Sequence, residues 1–384
     1  VARIKEVNGS KILNSRNDWT LQVELALDND IRVRASVPKG ESRGSHEAAS
    51  VDIEDAIRNI KKVIHPALRG WDPFDQTGLD RKLIGLDGTP NKSKLGGNTL
   101  LAVSIAALRA AALQKGIALW QYVREVASPA SPVGGPRIFA NVINGGLHAG
   151  NALDIQEYLV IPKTTNPQIA IDIIHDIYQR LGALCNERFG RAASLVGDEG
   201  GYAPIFDNNL SPLSLIKAAA EGYEVELGID AAASNIGMGK NELLDLYRTM
   251  VDQFSLGYIE DPLGEDDFGG FAEMNSGYGK TVTITGDDLT VTNVGRMEEA
   301  WERKSINGVI IKPNQVGTIT ETLAAVRKAR DYGWRVVVSH RSEETNDDFI
   351  ADFAVGVGAD GIKVGAPARG ERVAKYNRLL EISQ

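Results

Sequence analysis

The sequence predicts an α/β fold in which a parallel sheet closes as a barrel over the second part of the chain. Two observations carry this. Short apolar runs recur, and each ends in one ionisable residue: SLVGDE at Glu199, ELGID at Asp230, LGYIE at Glu260, VTITGD at Asp287, GVIIK at Lys312, RVVVSH at His340 and DGIK at Lys363. The successive spacings, by subtraction of residue numbers, are 31, 30, 27, 25, 28 and 23. Each suits one strand, one helix and two loops. Repeated units of this kind favour a barrel, with an open doubly wound sheet as the alternative. In both architectures the carboxyl ends of the strands share one mouth, so the terminal ionisable groups are expected to converge there.

Ahead of the repeats, residues 21–27 (LQVELAL) alternate apolar and polar, as a half-buried strand does. Asp28-Asn29-Asp30 reads as a hairpin turn and IRVRASV as the returning strand. After residue 50 the pattern is helical, and the stretch from Leu100 to Ala112 is rich in Ala and Leu. The Pro- and Gly-punctuated segment 127–136 (ASPASPVGGP) marks a boundary between an α+β unit over 1–126 and the barrel over 137–384. Within the barrel, Ser211-Pro212 is expected to open a helix, with the serine as cap and the proline at its first position. TETLAAVRKARDYG, from Thr320, reads as a helix ending at Gly333 with its basic residues late.

Composition limits what such a molecule binds. The chain has 384 residues, 43% hydrophobic, long enough for a barrel and an accessory unit. Its net charge of -9 weighs against non-specific binding to nucleic acid or an anionic membrane. An anionic substrate therefore needs a local cluster of cations. Cys185 is the single cysteine, which rules out an intrachain disulfide and fits a reducing cytoplasm. The opening Val1-Ala2-Arg3-Ile4 has no signal-peptide pattern, and no run of about 18 apolar residues suggests a membrane span.

Asp230, Glu260 and Asp287 offer three hard oxygen ligands from three successive strand ends. Taken singly, each is as well explained as a solvated charge or a helix cap. As a trio without His or Cys they favour magnesium over zinc. Lys312 follows three branched apolar residues, and beside a divalent cation its pKa is expected to fall, which would make it a base. A salt bridge to one of the carboxylates is the plainer alternative. Lys363 is a second cation suited to a substrate carboxylate. His340-Arg341-Ser342 groups an imidazole, a guanidinium and a hydroxyl, which suits a phosphate or carboxylate. Glu199 lies in GDEGG, where flanking glycines permit close approach. Glu157 follows Gln156 in the strand-like run DIQEYLVIP. Two carboxylates sharing a site push one pKa upward, so one can hold a proton and act as general acid. His148 sits in the glycine-rich NGGLHAGN, expected to be a mobile loop. Together these make a site for taking a proton beside a carboxylate and expelling hydroxide.

The segments NKSKLGGNTLLAVSIAALRAAA, NVINGGLHAGNALDIQEYLVIP, VGDEGGYAP, IEDPLGEDD, GDDLTVTN, KPNQVGTITET, SHRSEETNDDFIAD and KVGAPARGERVAKYN resemble enolase segments, in order and along almost the whole chain. The resemblance implies an α+β N-terminal domain followed by an enolase-type α/β barrel. It implies a magnesium-dependent hydro-lyase that converts 2-phosphoglycerate to phosphoenolpyruvate in glycolysis. Asp230, Glu260 and Asp287 would hold the ion, Lys312 would be the base and Lys363 would support the enolate. Glu199 with Glu157 would handle the departing hydroxyl. His148, Gln156, His340, Arg341 and Ser342 would contact the substrate, the last two at its phosphate. Cytoplasmic homo-oligomers, dimers or larger, are usual in the family.

Departures cluster near the mouth. KGESR stands where SGAST is usual, so Lys39 replaces a serine that usually helps chelate a second magnesium, and Glu41 and Arg43 replace smaller groups. Lys39 could present its own charge to the substrate phosphate. NSRNDW replaces DSRGNP, Leu147 replaces a small residue, and Glu343 replaces a glycine. These changes bear on the second metal, on loop closure and on the substrate. Two other readings therefore stand beside the first: a dehydratase for a different phosphorylated or phosphonate hydroxy acid, and a non-catalytic binding protein on the same scaffold. No nucleic-acid or membrane partner is expected.

Overall fold

In the computed structural model, which describes residues 1–40, 44–129 and 134–384, three antiparallel strands open the chain: β1 (Ile4–Leu13), β2 (Trp19–Leu27) and β3 (Arg32–Ser36). The β2–β3 hairpin matches the alternation read from the sequence, and Leu21, Val23 and Leu25 are its fully buried face. β1 escaped that reading because only Ile4 and Val7 in it are buried. The helix Gly97–Lys115 packs on β2 and β3. It is buried on nearly every face, so its composition is apolar throughout rather than striped.

The remaining strands are β4 (Arg137–Asn144), β5 (Glu157–Pro162), β6 (Val225–Asp230), β7 (Tyr258–Glu260), β8 (Thr283–Gly286), β9 (Gly308–Ile311), β10 (Arg335–Ser339) and β11 (Gly361–Lys363). They close in the order β10-β11-β4-β5-β6-β7-β8-β9. The barrel is thus confirmed over the open sheet, with one correction. β5 runs antiparallel to both neighbours, so the sheet is not wholly parallel. Glu157 lies at the start of its strand and still reaches the mouth.

A second correction concerns Glu199. SLVGDE is not a strand: Val196 makes an isolated bridge to Tyr202, and Glu199 sits in the turn between them. The apolar run, only Leu195 and Val196, was too short to distinguish a strand from a turn. Ser211 is the first residue of the helix Ser211–Ala219 rather than its cap. The Asn208 carboxamide oxygen accepts from the Leu210 and Ser211 amides instead. Residues 130–133 of the expected boundary segment lie outside the described residues.

Alternation along barrel strands points every second side chain inward. Phe139, Leu159, Ile161, Tyr258, Ile310 and Val337 form their own apolar cluster, the plug of the barrel. Gly361 must be a glycine because a Cβ there would lie 2.4 Å from the Phe139 ring. Glu157, Glu260, Lys312 and Lys363 lie two residues beyond Leu159, Tyr258, Ile310 and Gly361 respectively, on the same inward face. The N-terminal unit is tied to the barrel by Arg109, which donates to Asp347 at 2.7 and 2.8 Å, and by Asp80, which accepts from the Thr320 amide at 2.8 Å.

Candidate active site

The mouth above the plug is lined by His148, Gln156, Glu157, Glu199, Asp230, Asp287, Lys312, His340, Arg341, Ser342 and Lys363, all of the expected site residues except Glu260 and Lys39, and by Asp261 and Asp288. Its cavity is only about 30 Å³. Lys363 Nζ lies 2.8 Å from Asp230, 3.0 Å from Glu260 and 3.1 Å from Glu157. All four are buried. One ammonium thus serves three buried acids, whose burial as unpaired charges would be very costly. The Tyr258 hydroxyl donates to Glu260 at 2.6 Å. Burial, then the charge of Asp230, pushes the Glu260 carboxyl up to about 8.

Lys312 Nζ donates to Asp287, whose other oxygen accepts from Gln315 at 3.0 Å. Burial favours the neutral amine, but the Asp287 charge outweighs it, and the Lys312 pKa rises. The salt-bridge alternative describes Lys312 as it stands here. Lys363 pairs with both Asp230 and Glu260, and Lys312 pairs with Asp287, so each acid of the expected trio is met by a lysine. Among the described residues, carboxylate oxygens of Asp261, Asp287 and Asp288 also meet within 4.8 Å of one another, as do the ligand atoms of His148, Glu157 and Glu199 across the mouth. Asp261, at a φ of 41°, is held there by accepting the amides of Asp287 and Asp288 at 2.9 and 2.7 Å. A non-glycine residue in that region costs on the order of 1–3 kcal/mol. The expected trio and this cluster are alike carboxylates at strand ends with no thiolate or imidazole among them, the donor chemistry that a hard divalent cation takes.

Across the mouth, Glu199 and Glu157 share a pocket with His148, whose Nδ1 is 3.7 Å from the first and 4.0 Å from the second. Burial opposes the charge on both acids. Glu199 has His340 Nε2 at 3.4 Å and the Asn141 amide at 3.1 Å, and its pKa falls well below the usual value. Glu157 faces Glu199, Asp230 and Glu260, and its pKa rises well above it. Of the two, Glu157 is the acid whose burial and acidic neighbours favour the protonated form. His148 is buried in a short 3-10 turn, Gly146–His148, and burial lowers its pKa. Its Nδ1 and the buried Gln156 Oε1 have no hydrogen-bond partner among the described residues, which leaves both available to a ligand.

Arg341 is buried and donates to Glu47 at 3.0 Å and to Asn314 at 3.3 Å. Gly40 lies so close to this guanidinium that a Cβ would sit 1.8 Å from it. Lys39 is not brought into the mouth. Its Nζ pairs with Asp18 and lies 3.8 Å from Glu343, and its backbone bridges that of Glu343 in both directions at 3.0 and 3.1 Å. Glu41 and Arg43 lie outside the described residues. The sequence reading missed Asp261, Asp288, Glu47, Asn141 and Arg372. A second acid directly after Glu260 and after Asp287 was a usable signal for the first two; the others carry none.

The chain matches two family models, the enolase N-terminal domain over residues 4–123 and the enolase C-terminal TIM barrel domain over 135–384. It is 40% identical to an enolase of Sulfurisphaera tokodaii, over 99% of this chain and 95% of that one. It is 41% identical to an enolase of Methanopyrus kandleri, over 100% and 96%. The enolase of Aeropyrum pernix is 42% identical, over 99% and 93%.

Proposed function

The chain belongs to the enolase family and is a hydro-lyase, and from that premise we propose that it dehydrates 2-phosphoglycerate to phosphoenolpyruvate with magnesium as its metal. The observation that carries the reading is the placement of base and acid. Lys312 follows β9 and Glu157 begins β5, four strands apart in a ring of eight, so they face each other across the mouth. A substrate seated between them loses its α-proton on one face and its hydroxyl on the other, the arrangement an anti elimination needs.

Arg341 and Ser342 would hold the phosphate, with Arg341 exchanging Glu47 for it. Lys363 would place its ammonium beside the substrate carboxylate as negative charge develops there. Lys312 takes the α-proton as its neutral amine. The Glu157–Glu199 pair, with His148 against both, gives the proton that lets hydroxide leave as water. A divalent cation held by Asp230, Glu260 and Asp287 would supply further positive charge at the substrate carboxylate and relieve Asp287 of its pairing with Lys312. Hard oxygen donors favour magnesium for that place. The same reading puts the chain in the cytoplasm, where the single buried Cys185 stays a thiol.

The test is formation of phosphoenolpyruvate from 2-phosphoglycerate with added magnesium, beside a panel of other phosphorylated and phosphonate hydroxy acids. Turnover of a panel member with none of 2-phosphoglycerate would reassign the substrate. No turnover of any would favour a binding protein.

A further inference from the structure

We propose that Arg372 is a positioning residue that fixes the ring tautomer of His340 and so aims its Nε2–H at Glu199. The inference rests on the elimination reading and adds to it a residue outside the substrate cavity. Arg372 lies in the last helix, Gly370–Ser383, and is fully buried. Its Nη1 reaches His340 Nδ1 at 2.9 Å and donates to the Arg341 carbonyl at 2.7 Å. Its Nη2 donates to the Ser342 carbonyl at 2.6 Å and to the Asp198 carbonyl at 3.4 Å.

A guanidinium has donors and no acceptor, and it keeps its charge. At the 2.9 Å contact, then, Nδ1 is the nitrogen that accepts. A neutral imidazole accepting at Nδ1 carries its proton on Nε2. The ring is neutral near pH 7 because burial pushes its pKa down to about 4. The Nε2–H then points at Glu199 Oε2, 3.4 Å away. In the other tautomer, two donors would meet at Nδ1 and a lone pair would face the carboxylate. Arg372 thereby decides what Glu199 meets on that side. The same fork donates to the Arg341 and Ser342 carbonyls, and so helps to hold the backbone that carries the proposed phosphate-binding pair.

A merely structural role would also lower activity, so the test reads the tautomer itself. Protein labelled with nitrogen-15 histidine, with the His340 signals assigned by their loss in His340→Gln, is expected to show Nδ1 unprotonated and Nε2 protonated at neutral pH. Arg372→Lys keeps the charge but loses the planar fork. It should give a mixture of tautomers, with kcat on 2-phosphoglycerate lower by about tenfold or more and KM changed far less. A protonated Nδ1 in the wild type overturns the proposal, and that spectrum decides even if Arg372→Lys does not fold. So does a folded Arg372→Lys protein that loses kcat while its His340 keeps the wild-type tautomer. The spectrum needs no substrate. The expected tautomer in a protein that does not turn over 2-phosphoglycerate would sink the substrate assignment and leave the aiming of His340 in place.

Discussion

Glu157, the first residue of β5, stands directly opposite Asp230, the last residue of β6, in the antiparallel register of the barrel. The reversal of this one strand joins two functions. Asp230 is one of the strand-end acids proposed to hold the cation, and Glu157 belongs with Glu199 to the pair proposed to give up the proton. Lys363 touches both. A change at either acid therefore alters the charge felt by the other, and variants should be compared as a set.

Removal of the metal should abolish turnover. Treatment with a chelator is expected to bring activity to background, and added magnesium to restore it. Glu260→Ala should resist rescue, because it deletes a donor and leaves Lys363 balanced by Asp230 and Glu157 only. Full activity in Glu260→Ala with a chelator present would remove this residue from the metal site.

The two halves of the elimination separate experimentally. Lys312→Ala should lose exchange of the substrate α-proton with solvent, by about 10²–10⁴-fold, the usual contribution of a positioned base. Glu157→Gln and Glu199→Gln should retain exchange and lose elimination. Of these two, Glu157→Gln removes the acid whose surroundings favour the protonated form and should retain less elimination. Wild-type exchange in Lys312→Ala would transfer the base role to another group.

The strand ends were legible because buried barrel strands are short apolar runs, and the change to a charged residue marks where the core stops. That placed Asp230, Glu260, Asp287, Lys312, His340 and Lys363 on the mouth from sequence alone. Strand direction is not written in a run such as EYLVIP, so the reversal of β5 was invisible. Nor does sequence say which charge neutralises which. Lys312 beside Asp287 and Lys363 among three acids follow from packing. Arg372 reads as an ordinary helix residue until its fork is seen on three backbone carbonyls and a ring.

Acid should weaken the fold through His340. Burial lowers its folded-state pKa from 6.5 to about 4. As pH falls through 6.5 the unfolded chain takes up a proton that the folded one refuses, so stability is full above 6.5 and declines toward 4. His148, also lowered by burial, acts in the same direction. Urea midpoints across this range should fall less steeply for His340→Gln than for the wild type. Identical slopes would place the acid sensitivity elsewhere.

Lys39→Ser should change little at the mouth. The residue was a candidate to face the substrate phosphate, but its ammonium is turned to Asp18 and Glu343. The Asn14 amide also holds Glu343, at 2.8 Å, and the backbone bridge between 39 and 343 needs no side chain at 39. The Lys39–Asp18 pair is largely exposed, and such pairs contribute roughly 0–1 kcal/mol. Substitution should thus leave the KM for 2-phosphoglycerate within about twofold, since an exposed pair outside the cavity has little to lose. Titration of magnesium in the presence of substrate should give the same number of coupled ions in both proteins. An additional strongly coupled ion in Lys39→Ser alone would mean that the lysine turns inward when substrate binds and stands in for a metal. Weakening of the wild-type affinity by salt, absent in the variant, would accompany that outcome.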